Sequence, residues 1–316
     1  MGRVRIWTFL PAATVLIATS FAARAVPPGD ASTTALAVCE FRAIAAQHPD
    51  PKVRNGDTLA GRLCPPTLLP REYEAARALI EIYPEPYAGF FYVNARTRYI
   101  DALLEKAAAA GAVQVVVLGA GFDSRAYRFH DAYPKIKFFE VDLPAVIEAK
   151  RREVARVLGR PPAGVHYVPI DFNSQSLSEV LPREGYDRSG RTFFILEGVS
   201  MYVAEPGVAA TLEFVSGNSP PGSSIVYDYV LRRVAQGDYD GFYAAREAAL
   251  GVARAGEPFV TGWSPQEAAG FAKRHGLTVR EDLDAAALTR RFLTASDGKP
   301  DGRIPEWYHV IDAEVR

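Results

Sequence analysis

From residue 111 onward, short unbroken apolar runs alternate with longer stretches of helical spacing. Five runs stand out: residues 113–119 (VQVVVLG), 136–142 (IKFFEVD), 165–171 (VHYVPID), 192–198 (TFFILEG) and 223–230 (SSIVYDYV). They are continuous, several are rich in β-branched residues, and they read as buried strands rather than half-exposed ones. Between them lie helical stretches at 144–159 and 206–216, the first with Pro144 in its opening turn. A third covers 264–276, with Ser264 as N-cap, Glu267 three residues on and Gly276 as C-cap. Strand and helix in turn predict an α/β fold with a mostly parallel, doubly wound sheet. Two later runs, 277–282 and 306–315, are expected to form an antiparallel edge.

Upstream, the period is helical throughout. Residues 33–47, 71–83 and 92–110 carry apolar positions at helical spacing, with breaks at Pro65-Pro66 and at Pro84 and Pro86. This predicts a helical cap over residues 26–111, packed on a core over 112–316 as one domain. The first 25 residues differ: Arg3 and Arg5 precede an apolar run, and Ala23-Arg24-Ala25 follows. That is a secretory-signal pattern. An uncleaved membrane anchor and a start codon assigned too early are the alternatives.

Composition narrows the class without naming a ligand. The chain has 316 residues, 48% apolar content and a net charge of -1, so a nucleic-acid partner is not expected. The plainer reading of Cys39 and Cys64 is two separate thiols, and neither shows metal-ligand spacing. His166 lies on a strand and His275 ends a helix, while His48, His130 and His309 show no recognisable partner spacing, so no metal is expected.

The first strand ends in Gly119-Ala120-Gly121, followed at once by Asp123 and Arg125. Ligands of open parallel sheets bind beyond the strands' carboxyl ends, where glycines let backbone approach closely. A dinucleotide site favours a third glycine, but Ser124 stands there, and Asp123 is poorly suited to a diphosphate. Acids also close the next strands: Glu140 and Asp142, Asp171, then Glu197. S-adenosylmethionine, cationic and free of phosphate, suits such a set. Asp142 is placed to take ribose hydroxyls, Asp171 the adenine amine with the Phe172 backbone beside it, and Glu197 the cofactor's ammonium. Two other readings stay open, an oxidoreductase using NAD and an exported, non-catalytic nucleoside- or small-molecule-binding protein.

The segments VVVLGAGFDSRAYRF, FFEVDLPAVIEAKR, VPIDF and FILEGVSMYV resemble the leucine carboxyl methyltransferase family. The resemblance runs from about Thr33 to the C-terminus and includes NARTRYID before the first strand. It implies a Rossmann-like class I methyltransferase using S-adenosyl-L-methionine. It also implies Arg96 at the cofactor's carboxylate, Gly119 and Gly121 beneath its methionine moiety, and Asp142, Asp171 and Glu197 in the roles above. Arg125 is expected to brace the turn. Tyr202 after the fourth strand and Tyr227, Asp228 and Tyr229 at the fifth are expected on the acceptor side, with Tyr202 and Tyr229 as candidate catalytic residues, and the cap aromatics Tyr83, Tyr87, Phe90, Phe91 and Tyr92 are either a lid or packing. The expected reaction is O-methylation of a carboxylate or hydroxyl on a small molecule. A membrane partner is expected only if the leader is retained as an anchor. Localisation stays open, since the leader suggests export and the supply of cofactor suggests the cytoplasm.

Overall fold

The structure, a computed structural model, describes residues 33–64, 69–171 and 174–316. The N-terminal leader and Phe172 therefore lie outside the described residues.

The cap comprises α1 (Thr33–Ala45), α2 (Ala60–Leu63), α3 (Tyr73–Ile82) and α4 (Gly89–Ala109). The alternating half follows: β1 (Gln114–Leu118), α5 (Arg125–Arg128), β2 (Lys137–Asp142), α6 (Pro144–Leu158), β3 (Val165–Pro169), α7 (Leu177–Arg183), β4 (Thr192–Leu196), α8 (Glu205–Gly217) and β5 (Ser224–Val230). Then come α9 (Arg232–Ala235), α10 (Ala245–Arg254), α11 (Pro265–Arg274), β6 (Leu277–Leu283), α12 (Ala285–Phe292) and β7 (Tyr308–Val315). Strand order is β3-β2-β1-β4-β5-β7-β6. The first five strands are parallel, and β7 runs antiparallel to both β5 and β6. Order reverses between β1 and β4, which is where such a sheet opens a ligand crevice.

All five predicted core strands form, and the buried pattern of β1, β4 and β5 is unbroken. One detail differs. The last run is not at the edge but inserted between β5 and β6, and β6 takes the rim. Most of β7 is buried while β6 alternates toward solvent, so burial assigns each strand its place. The predicted capping box of α11 is present: Ser264 Oγ accepts from the Glu267 amide, and Glu267 accepts from the Ser264 amide.

Apolar residues fill both faces of the sheet. On one side a single cluster joins α1 and α4 to β1, β4 and α12, so cap and sheet share a core. Phe90 and Phe91 belong to it, which makes these two packing residues. On the other side α7, α8 and α11 cover the sheet.

The two cysteines are not separate thiols. Cys39 and Cys64 form a disulfide that ties α1 to the end of α2, with Cα atoms 6.3 Å apart. The packing of α1 on α2 brings together positions 25 residues apart, a proximity that sequence spacing does not report.

Candidate functional site

The glycine turn is shaped by what lies behind it. Gly119 has φ +72°, and a Cβ there would meet Val199 Cγ2 at 2.4 Å. Gly121 has φ +40° with Ala35 of α1 alongside. The turn's amides are spoken for: Gly119 and Ala120 donate to the Val141 carbonyl, and Gly121 donates to Asp142 Oδ2 at 2.7 Å. Asp142 Oδ1 accepts from the Leu143 amide at 2.7 Å. Each carboxylate oxygen thus retains accepting capacity. Burial raises the Asp142 pKa above the ordinary range, against the downward pull of those two amides and Lys150.

The cap holds the turn from outside. Arg42 of α1 donates to the Phe122 carbonyl at 2.7 Å and to Asp57 at 2.8 Å. Ser124 donates to Asp57 at 2.6 Å, and Arg128 bridges Ser124 and Asp101.

At the tip of β4 sits a buried ionic cluster. Glu197 accepts from Arg96 Nε at 2.9 Å and from Arg125 Nη1 at 2.6 Å. Arg125 also pairs with Asp123 and, at 2.7 Å, with Asp101. Arg96 Nη1 pairs with Asp228 of β5. Asp228 accepts in addition from the Gly198 amide at 2.6 Å and the Tyr92 hydroxyl at 2.9 Å. The Arg96 guanidinium lies 5.0 Å from the Tyr92 ring centre. Burial alone would raise the pKa of Glu197, but Arg125 and Arg96 outweigh it and hold it below the usual range. The same balance, dominated on the attractive side by Arg125, lowers Asp123. Every guanidinium nitrogen of Arg125 has a partner, whereas Arg96 Nη2 is buried with no hydrogen bond among the described residues.

Sequence-selected residues therefore separate. Arg96, Gly119, Gly121, Asp142 and Glu197 gather at the β1, β2 and β4 tips. Asp171 follows β3 nearby; the Ile170 amide donates to the Asp142 carbonyl, and Ser174 donates to the Asp171 carboxylate at 3.2 Å. Arg125 braces the turn, as expected. Glu140 is not a ligand-facing acid: it is fully buried, 2.6 Å from Lys150 and accepting from Tyr127. Nor does Asp123 confront a ligand with bare charge, because Arg125 neutralises it; the argument against a diphosphate loses that support. Tyr202 lies in a single 3-10 turn after β4 and stacks on Phe259 at 5.6 Å. The structure does not bring Tyr229 to this group. Strand alternation sends Asp228 to the cap side and Tyr229 to the opposite face, where its hydroxyl donates to Asp282 at 2.8 Å.

Asp228, a lone charge inside an apolar strand, is expected from the sequence on the acceptor side, and the structure pairs it with Arg96 instead. One contributor escaped the sequence reading. Tyr308 at the start of β7 stacks on Tyr92, ring centres 3.9 Å apart, and packs against Trp307. Nothing short of the sheet order places it there.

The residues present fit S-adenosylmethionine. A side-chain-free turn, an acid beside it and a buried cationic nitrogen awaiting an acceptor match an adenosine joined to an amino acid. Relatives give that arrangement its class, a methyltransferase dependent on S-adenosyl-L-methionine. Streptomyces coelicolor SCO7813 is 30% identical over 290 residues, spanning 89% of this chain and 93% of that protein. Bacillus subtilis YktD is 32% identical over 238 residues, spanning 75% of this chain and 74% of that one. The names of both assign them provisionally to the S-adenosyl-L-methionine-dependent methyltransferases. The leucine carboxyl methyltransferase family model matches residues 35–216, and the chain belongs to that family. Among solved structures, an O-methyltransferase family protein from Burkholderia thailandensis aligns at TM-score 0.45 and 14% identity, over 69% of this chain and 56% of that one. The reading as a non-catalytic binding protein finds no support in these relatives.

Proposed function

We propose that this methyltransferase transfers its methyl group to an oxygen, in the first place a carboxylate, of a small organic acid. The carrying observation is the pair of phenols at the acceptor side. Tyr202 and Tyr308 pack against one aromatic cluster with Phe259 and Trp307, and neither hydroxyl has a hydrogen-bond partner among the described residues. Burial raises both phenols above their ordinary pKa. They therefore stay protonated and donate to an acceptor's oxygen instead of taking a proton from it. An acceptor already anionic needs no base, whereas a hydroxyl gains about 10²–10⁴-fold from one.

S-adenosylmethionine supplies an electrophilic methyl group on a sulfonium, leaving as a neutral thioether. The protein's part is alignment, which supplies roughly 7–11 kcal/mol in favourable cases. In this reading Asp142 takes the ribose, Asp171 and the Phe172 backbone the adenine, Glu197 the ammonium and Arg96 the carboxylate, with Gly119 and Gly121 beneath. Tyr202 and Tyr308 orient the acceptor, and the aromatic wall excludes water. Cap and core act as one unit.

The test is methyl uptake from labelled S-adenosylmethionine across a panel of aromatic and aliphatic acids and phenols. Alkali-labile label released as methanol marks an ester and supports the reading. Alkali-stable label only, or uptake on phenols alone, overturns it in favour of ether formation. The Cys39–Cys64 bridge and the signal-like start support an oxidising compartment for the finished protein. Mass spectrometry of its N-terminus tests that: a chain beginning near Val26 supports export, and an intact Met1 argues against cleavage.

A further inference from the structure

We infer that Asp228 is a positioning residue for the methyl donor, acting through Arg96. It rests on the proposed reading in which Arg96 and Glu197 meet the donor's amino-acid end; the choice of methyl acceptor is not a premise.

Arg96 is held on three sides. Glu197 takes Nε, Asp228 takes Nη1, and the Tyr92 ring underlies the guanidinium. Nη2 is left, buried and without a hydrogen-bond partner among the described residues. It lies beside the tip of β4, because a Cβ on Gly198 would stand 3.6 Å from it. Gly198 is itself fixed by Asp228, whose Oδ1 accepts its amide. One carboxylate therefore sets both the strand-tip backbone and the orientation of the guanidinium next to it.

Asp228 is buried and already accepts from three protein donors, so its role is exerted through them. Its consequence lies in what it denies to Glu197. A carboxylate and a guanidinium left to themselves pair through two parallel hydrogen bonds. Without the Asp228 charge, Glu197 would take Arg96 through two nitrogens. That would turn Nη2 away from the cleft and consume the accepting capacity of Glu197. Both charged ends of an amino acid would lose their partners at once. The retained pairing keeps one donor and one acceptor presented side by side, which is the pattern a zwitterionic amino-acid end requires.

Two ligands isolate this role. S-adenosylhomocysteine carries the amino-acid end, and 5′-methylthioadenosine carries the same nucleoside without it. Calorimetry of the full chain with each is expected to show Asp228→Asn binding S-adenosylhomocysteine about tenfold more weakly, the size of one charged hydrogen bond, with methylthioadenosine unchanged. Asp228→Glu, which keeps the charge, is expected to recover most of that loss. Arg96→Lys, read in parallel with thermal melting, is expected to show the same split between ligands and stands in if Asp228→Asn does not fold. Equal weakening of both ligands would make Asp228 merely structural. Unchanged or tighter S-adenosylhomocysteine binding in Asp228→Asn, or no split in Arg96→Lys, would also overturn the inference.

Discussion

Arg280 and Arg96 each tie the sheet to neighbouring carboxylates, and they differ in burial and in how fully their nitrogens are used. At the antiparallel side, Arg280 gives Nε and Nη2 to Asp312 and Nη1 to Glu314, at 2.7–3.1 Å. Every nitrogen is used, and the cluster lies partly open to solvent. At the β4 tip, Arg96 is buried, faces two carboxylates and keeps one nitrogen unpaired. Buried ionic groups left incomplete are costly, and natural proteins satisfy nearly all of them. A saturated cluster therefore reads as a brace, and an unsaturated one as a receptor.

The sharpest way to break this contrast is Arg96→Ala. It strands Asp228 in the interior and leaves Glu197 to Arg125 alone, and the expected loss is about 3–5 kcal/mol of stability with no measurable S-adenosylhomocysteine binding. Denaturant unfolding and calorimetry check both. Opening the disulfide with Cys39→Ser and Cys64→Ser together should cost about 3.5 kcal/mol, the chain-entropy value for a loop of this length, seen in the unfolding midpoint. Asp142→Ala should weaken S-adenosylhomocysteine by about 1.5–3 kcal/mol with little change in melting, which separates a ligand contact from a brace. Arg280→Ala should do the converse, lowering stability by about 1–2 kcal/mol while calorimetric affinity stays as it was.

Acid gives the most gradual readout. Glu197, Asp123 and Asp57 are each held below their unfolded pKa by neighbouring arginines that outweigh burial. Their contribution is full above the unfolded carboxylate value, about 4, and is lost as pH falls through the depressed folded values. Asp142 is shifted the other way, so its term favours folding below the unfolded value and disappears as pH rises through the folded one. Melting followed from neutral pH down to about 2 should fall mostly below 4, and Glu197→Gln should flatten that limb.

How far the sequence foretold this depends on range. The core strands were legible because unbroken apolar runs have few other uses, and the α11 cap because its residues lie within four positions. The glycine turn and Asp142 were legible together, since strand, turn and next strand form one local unit. Glu140 misled, because nothing in its own segment announces that Lys150 lies beneath it. The Arg96–Glu197 pair is separated by 101 positions, and only the sheet order joins them. Tyr229 failed for a simpler reason: one step of strand alternation carried it to the wrong face while putting Asp228 on the right one.

The insertion of β7 between β5 and β6 bears on biosynthesis. During translation β6 emerges before the strand that must separate it from β5. Until then β5 offers a bare apolar rim, and a premature docking of β6 there would be a dead end that has to be undone. The sheet closes only when β7 pairs with both neighbours, and until then the β5 edge is open to the wrong strand.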